Sequence, residues 1–279
     1  MKKGLFIILI CVLLASAFVY WQHLKSSKKE LESEKSNKTS SVTEEKKETS
    51  SPPPPTIIDG KWVLQWHETF DTFDKRKWNI EKRGNNYNKE QQYYRKENVT
   101  IQDGSLLLTG KREDYKKHKF TSGKITTQNK FEMKYGRIEI VARTNGGNGS
   151  FPAIWMLPSE EKSLPEIDIF EAVGIEKNIV YYVNHWEENK KNKRSFKLLQ
   201  IDNLDEFHTY AIEWNKDEIK WFVDGVHQYT STEGIPNEPM YLIINLAIGG
   251  GGWIGAPDEN TEFPLLFEIQ DLKVMTELQ

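Results

Sequence analysis

From Thr56 onward, short segments of β-branched and aromatic residues alternate with clusters of Gly, Asn, Asp and Pro. Residues 136–142 carry apolar side chains at every second position, which is the pattern of a half-buried strand. The pair Asp224-Gly225 lies between two such segments and predicts a tight hairpin turn. No long segment shows the 3.6-residue period of an amphipathic helix. The pattern predicts one all-β domain over residues 56–279, either a sandwich or a barrel.

A different pattern occupies residues 1–24. Two lysines precede a long apolar run, and Ala15-Ser16-Ala17 has the small-x-small form of a signal peptidase site. Apolar residues resume after this site, so the run over residues 5–21 reaches the lower length limit of a membrane span. We expect a signal peptide or an N-terminal membrane anchor. Either one places the domain outside the cell, secreted or tethered to the outer face of the membrane.

Residues 25–55 connect the two regions. They are built mainly from Lys, Glu, Ser and Thr, and they end in four consecutive prolines. Such a composition cannot bury a core, and polyproline is a stiff extended spacer. The segment is predicted to be a disordered linker.

Composition excludes several classes of function. The net charge of −3 provides no basic field that would attract nucleic acid. The single cysteine, Cys11, lies in the leader, so an intrachain disulfide framework is excluded. No Cys/His spacing suits a metal site, and nothing demands more than a monomer.

The chemistry-bearing motif lies in residues 164–174, where Glu166 and Asp168 alternate with isoleucines. On a strand, these two acids point to one face. A β-bulge near Phe170 would bring Glu171 to the same face. An exposed acidic edge strand or a calcium site could also explain the cluster. The functional interpretation is retaining glycoside hydrolysis, with Glu166 as nucleophile, Glu171 as acid and then base, and Asp168 between them.

The segment Glu-Ile-Asp-Ile-Phe-Glu, followed by Gly174, resembles the E-[IL]-D-[IL]-x-E signature of glycoside hydrolase family 16. Further segments resemble the family in the same order along the chain: residues 62–66, 74–78, 85–94, 121–125, 135–139, 151–158 and 245–253. The resemblance implies a jelly-roll β-sandwich of two curved antiparallel sheets with a concave substrate cleft. It also implies retaining, endo-acting hydrolysis of β-1,3-glucan, such as laminarin, or of mixed β-1,3/1,4-glucan.

Two other functions remain open on this fold. A transglycosylase shares the glycosyl-enzyme intermediate and differs only in what captures it. A non-catalytic β-glucan-binding module would typically lose the three carboxylates that this chain keeps. Agarases and carrageenases also carry the bulged signature, so the signature alone does not determine the sugar.

The resemblance also implies substrate contacts. Trp155 is expected to stack on a sugar near the cleaved bond, and Trp253 to stand on the cleft rim. Phe151 occupies a position where the family usually has Trp. Asn86 and Asn245 are expected to bind sugar hydroxyls, with turn-forming roles as the alternative.

His185 is expected to orient the acid/base or to contact the aglycone sugar, with a structural role as the alternative. For Arg137 the expected partner is a carboxylate or a sugar hydroxyl, and a structural salt bridge is an equal alternative.

Relatives in the family often hold a structural calcium. The acids of the corresponding patterns align with Thr69 and Gln270, although Glu68 and Asp271 are adjacent. We therefore expect no calcium and no other cofactor.

Overall fold

Alternating apolar residues produce a structure built almost entirely of strands. The computed structural model describes residues 55–84, 86–160, 162–250 and 252–278, and these form eighteen β-strands and two short 3-10 helices. The predicted leader and nearly all of the predicted linker lie outside the described residues. No helix within the described ranges is long and apolar enough to cross a membrane.

The larger sheet contains eleven strands, and its main order is β16-β15-β14-β9-β18-β6-β7-β4, with β2 beside β18, β1 beside β2 and β5 beside β6. Its strands are β1 (Ile57–Ile58), β2 (Trp62–Glu68), β4 (Gln92–Tyr94), β5 (Val99–Gln102), β6 (Ser105–Tyr115), β7 (His118–Ser122), β9 (Gly136–Thr144), β14 (His208–Trp214), β15 (Ile219–Val223), β16 (Val226–Ser231) and β18 (Leu265–Glu277). A short 3-10 helix, Lys96–Asn98, precedes β5.

The smaller sheet contains seven strands in the order β13-β12-β11-β10-β17-β8-β3. Its strands are β3 (Asn79–Ile80), β8 (Lys124–Thr126), β10 (Ser150–Pro158), β11 (Glu166–Ala172), β12 (Ile179–Glu188), β13 (Lys191–Gln200) and β17 (Met240–Ile248). The second 3-10 helix, Gly252–Ile254, follows β17. Sequence neighbours β10, β11, β12 and β13 are also neighbours in the sheet, so one continuous stretch of chain builds the half of the sheet that carries the acidic motif.

The two sheets stack into the predicted jelly-roll β-sandwich. Pairing is antiparallel throughout the described strands except between β4 and β7, which run parallel. The core lies between the sheets and receives every second side chain of β10, such as Ile154 and Met156. Across the core, Phe170 of β11 stacks on Phe267 of β18 with ring centroids 5.5 Å apart.

The predicted hairpin turn is confirmed. β15 and β16 pair antiparallel on either side of Asp224 and Gly225. Both turn residues have positive φ, 49° and 77°, as the tight two-residue turn requires.

Candidate active site

The acidic motif lies on β11, and its register contains the predicted β-bulge. Asp168 pairs with Val183 and Glu171 pairs with Tyr181, so three steps on β11 match two on β12. Ile169 and the following residue, Phe170, both pack into the core between the sheets. Because two consecutive side chains point inward, Glu171 returns to the face that carries the other acids.

The opposite face of the smaller sheet, here called the cleft face, points away from the core. Cross-strand partners share a face, and Trp155 of β10 is the partner of Asp168. His185 of β12 is the partner of Glu166. Glu171 lies opposite Ala153 of β10. The cleft face therefore gathers three carboxyl groups, an imidazole and an indole.

Burial governs the protonation of the three acids. The pKa of Glu171 is raised well above its usual range, first by burial and then by the charges of Asp168 and Glu166. Burial also raises the pKa of Asp168 well above its usual range, and the Glu166 charge adds to this. The pKa of Glu166 is raised by burial as well, but the charges of His185 and Lys124 oppose the shift. Within this cluster, Glu171 is thus disposed to hold a proton, and Glu166 has cationic neighbours that favour its ionised form.

The structure places His185 beside two of the acids. Its Nε2 lies 3.4 Å from Oδ2 of Asp168 and 3.8 Å from Oε1 of Glu166. Burial lowers the pKa of His185, and the charge of Glu166 opposes this effect. Among the acids, His185 thus lies closest to Asp168 and Glu166. That it orients the acid/base or contacts the aglycone sugar stays a prediction.

Carboxylate and imidazole groups that lie this close together can also act as ligands of a metal ion. Among the described residues, one group of His, Asp and Glu side chains has ligand atoms close enough to share an ion, namely Glu166, Asp168 and His185. This group is the acidic site itself.

At the position considered for calcium, both acids have protein partners. Glu68 accepts hydrogen bonds from the indole of Trp78 (3.1 Å) and from a backbone N–H (3.3 Å). Asp271 lies 2.6 Å from Nε2 of His67 and 3.1 Å from Nζ of Lys273. The absence of calcium and of other cofactors stays an expectation.

On one side of the acids, three side chains from β10, β17 and β8 contact one another: Trp155, Asn245 and Lys124. The indole Nε1 of Trp155 donates a 2.7 Å hydrogen bond to Oδ1 of Asn245. The ammonium of Lys124 lies 5.2 Å from the centroid of the Trp155 ring, and burial lowers the pKa of Lys124 to about 8. Trp155 is thus held on the cleft face, and its stacking on a sugar stays a prediction. Lys124 was not predicted to belong to the site, although it lies in the segment 121–125 that resembles the family.

The loop before β4 also contributes to this side. Asn86 donates to the backbone carbonyl of Gln92 (2.5 Å), and its own side-chain oxygen is buried without a protein partner. Gln92 in turn donates to Glu90 (2.9 Å) and accepts from the backbone N–H of Ile248 (2.8 Å). Because Ile248 belongs to β17, Gln92 fastens this loop to the smaller sheet.

An aromatic group lies at another part of the cleft face. Phe151 is buried, and its ring meets that of Trp253 edge-on at 5.5 Å. Trp253 is also 5.1 Å from the ring of Tyr181, the residue paired with Glu171. Nearly half of Trp253 remains exposed, 45%. This geometry suits Trp253 for the predicted rim position, and it makes Phe151 a support for Trp253 instead of an exposed contact.

The substrate role considered for Arg137 is wrong. Arg137 belongs to β9 of the larger sheet, where its guanidinium bonds Glu139 (2.6 Å) and Glu213 (2.8 Å). It also lies over the ring of Phe222. Its neighbours therefore show the structural salt bridge that was the alternative.

Comparisons with known proteins agree with the fold and the motif. The sequence profile described as "Glycosyl hydrolases family 16" matches residues 86–264, more than half of the chain. A β-glucanase of Rhodothermus marinus is 33% identical, over 76% of this chain and 85% of that protein. The glucan endo-1,3-beta-glucosidase A1 of Niallia circulans is 30% identical, over 77% of this chain but 38% of that longer protein.

Among solved structures, the catalytic domain of an endo-1,3-beta-glucanase (laminarinase) from Thermotoga petrophila RKU-1 superposes with a TM-score of 0.72. It is 31% identical, and the match covers 78% of this chain and 99% of that domain. Profile, sequence and structure all lead to the same assignment, and the chain belongs to glycosyl hydrolases family 16.

Proposed function

We propose that this protein is a retaining, endo-acting glycoside hydrolase that cleaves β-1,3-glucan or mixed β-1,3/1,4-glucan. The observation that carries the proposal is the bulge on β11, because it brings Glu166, Asp168 and Glu171 to one face of the smaller sheet. Two carboxyl groups on one face are what a double displacement needs. The relatives named as β-glucanase and endo-1,3-beta-glucosidase support the substrate class.

In the first step, Glu171 donates its proton to the glycosidic oxygen while Glu166 attacks the anomeric carbon. The bond to the leaving sugar breaks, and an ester forms between the sugar and Glu166. The raised pKa of Glu171 supports its role as the acid, since this group keeps its proton to a higher pH than an ordinary carboxyl group does.

In the second step, water attacks the anomeric carbon and the ester bond to Glu166 breaks. Glu171, now ionised, takes the proton of the water and returns to its starting state. Two inversions give net retention. Asp168 lies between the two residues and contributes to the raised pKa of Glu171. It is itself buried with a raised pKa, so its own ionisation is coupled to that of its neighbours.

Trp155 and Trp253 support a polysaccharide substrate. The indole of Trp155 is fixed by Asn245 and stands beside Asp168, where it can pack against the apolar face of a sugar ring. Trp253 offers a second, half-exposed ring on the same face. Two separated rings suit a chain of sugars that runs across the strands.

We also propose that the domain acts outside the cell. The support is the apolar leader at residues 1–24 and the Lys/Glu/Ser/Thr-rich linker at 25–55. The sequence leaves secretion and a membrane tether as alternatives.

The test incubates the full chain with laminarin and with mixed-linkage β-glucan, and measures new reducing ends and viscosity. Glu166→Gln should lower the rate by about 10⁴-fold or more, because no nucleophile remains. Glu277→Gln is the matched control, since Glu277 is an exposed acid at the end of β18.

Each outcome has a distinct meaning. An early fall in viscosity would support endo-cleavage, and products longer than the substrate would favour a transglycosylase. Binding to glucan without hydrolysis would favour a binding module. Neither binding nor hydrolysis would overturn the glucan assignment and lead to agar and carrageenan as substrates.

A further inference from the structure

Strand pairing in the smaller sheet aligns residues of its edge strand, β13, with the catalytic positions on β11. Residues that pair directly across antiparallel strands point to the same face. From β11 through β12 to β13, the two rows are Asp168–Val183–Phe196 and Glu171–Tyr181–Leu198. Phe196 and Leu198 therefore stand on the cleft face, about 10 Å from the carboxyl groups across two inter-strand spacings.

These two side chains are unusually exposed for their type. Phe196 is 48% exposed and Leu198 is 40% exposed. The other side of β13 faces the protein, where Leu199 packs on the core and Ser195 hydrogen-bonds the hydroxyl of Tyr229. The core therefore does not need Phe196 or Leu198. Exposed apolar residues on an edge strand favour unwanted pairing, so their presence calls for a binding role.

Arg194 adds a polar group to the same surface. It pairs directly with His185, so it also points to the cleft face. Its guanidinium carbon lies 5.0 Å from the centroid of the Phe196 ring, and the residue is exposed. A ring, an aliphatic side chain and a fork of N–H donors form the kind of surface that binds sugars, which have apolar faces and hydroxyl edges.

The chemistry of a double displacement suggests which part of the glucan binds here. The sugar attached to Glu166 must be held and distorted, which requires fixed polar contacts. Trp155, Asn245 and Lys124 offer such contacts on the opposite side of β11. The aglycone leaves after the first step, so it suits a more exposed surface with fewer fixed contacts.

We propose that Arg194, Phe196 and Leu198 form an aglycone-binding platform, which binds glucose units on the reducing-end side of the cleaved bond. This inference rests on the proposed function. The platform determines which bond of an oligosaccharide is cut, because its affinity draws the chain toward β13.

The test uses the full chain and a hexasaccharide of β-1,3-linked glucose labelled at its reducing end. The double variant Phe196→Ala/Leu198→Ala should move cleavage toward the reducing end, because fewer sugars then bind beyond the cleaved bond. The kcat/KM for the hexasaccharide should fall about fivefold, the size expected for losing exposed apolar contacts. Arg194→Gln should shift cleavage in the same direction, and Phe196→Tyr, which keeps the ring, should retain the parent pattern.

The control is Ile57→Ala/Val226→Ala, which removes two exposed apolar side chains from the larger sheet. It should leave the cleavage pattern unchanged. If the parent cleaves the hexasaccharide but the platform variants keep the parent pattern, the platform is wrong and the proposed function stands. If the parent does not cleave any glucan, the proposed function is overturned and this inference falls with it.

Discussion

The indole nitrogen of Trp221 donates a 2.8 Å hydrogen bond to the backbone carbonyl of Asp168. Trp221 belongs to β15 of the larger sheet and is fully buried, so the bond crosses the core to the strand that carries the acids. The acceptor of this bond lies at the start of the β-bulge, because the pairing of β11 with β12 shifts between Asp168 and Glu171. One sheet thus supports the irregular part of the other.

Replacing Trp221 by Phe tests this support. The variant keeps an aromatic ring but leaves a buried carbonyl without its indole donor, at an expected cost of about 1–3 kcal/mol in the free energy of unfolding. We expect kcat to fall about tenfold or more as well, since small displacements of catalytic groups are costly. Thermal unfolding and steady-state kinetics on laminarin measure the two effects.

Trp214→Phe is the matched control. Trp214 is also buried and donates to a backbone carbonyl, that of Pro236 (3.1 Å), but it does not contact β11 in this way. It should lose similar stability with little change in kcat. Equal losses of kcat in the two variants would refute a specific role for Trp221.

His185 should influence the acidic limb of the pH–rate profile. Glu166 acts as nucleophile only when ionised, and the charge of protonated His185 lowers the pKa of Glu166. In His185→Gln that charge is lost, so the pKa of Glu166 rises and the acidic limb of kcat/KM moves to higher pH. The direction follows because a higher pKa requires a higher pH for the same ionised fraction.

His208→Gln serves as the comparison for His185. His208 lies on β14 of the larger sheet and pairs with Asp224 at 2.8 Å. Replacing His208 should leave the acidic limb of the kcat/KM profile at the same pH as in the parent. An acidic limb in His185→Gln that coincides with the parent, or that moves to lower pH, would contradict the assignment of Glu166 as the group it influences.

The sequence was sufficient to predict the strand pattern, the hairpin at Asp224-Gly225 and the acidic face with its bulge. The bulge was predictable because simple alternation would have buried Glu171, while the two preceding apolar residues, Ile169 and Phe170, could share the inward side. At this motif, the hydrophobic pattern and the chemical need for carboxyl groups on one face both predict a bulge.

Arg137 shows what local pattern leaves open. Residues 136–142 read correctly as a strand, but alternation does not tell which of two sheets a strand joins. That choice depends on long-range pairing with β14 and β18. Phe196 was missed for a related reason: its exposure becomes meaningful only when the register aligns it with Asp168.

Arg137→Ala should therefore lower stability and not activity. Its side chain is 12% exposed and has two carboxylate partners. Truncation therefore removes the cation beside half-buried Glu139 and leaves Glu213 only Lys61, at 3.6 Å. The expected loss is about 1–3 kcal/mol in the free energy of unfolding, with kcat/KM unchanged. Thermal unfolding measures it.

Arg76→Ala is the control, because Arg76 is 90% exposed and pairs with Asp74 on the surface. It should change the free energy of unfolding by less than about 1 kcal/mol. A fall in kcat/KM for Arg137→Ala at unchanged stability would restore a role in binding.

The most direct test of the account is to trap the sugar on the nucleophile. A 2-deoxy-2-fluoro-β-laminaribiosyl fluoride carries a good leaving group, so it forms the glycosyl-enzyme, and its fluorine then slows hydrolysis by destabilising the positively charged transition state. Intact-protein mass spectrometry followed by peptide mapping should find one added disaccharide, attached to Glu166. An adduct on Asp168 or Glu171, or no adduct from an enzyme that hydrolyses laminarin, would contradict the assignment of Glu166 as the nucleophile.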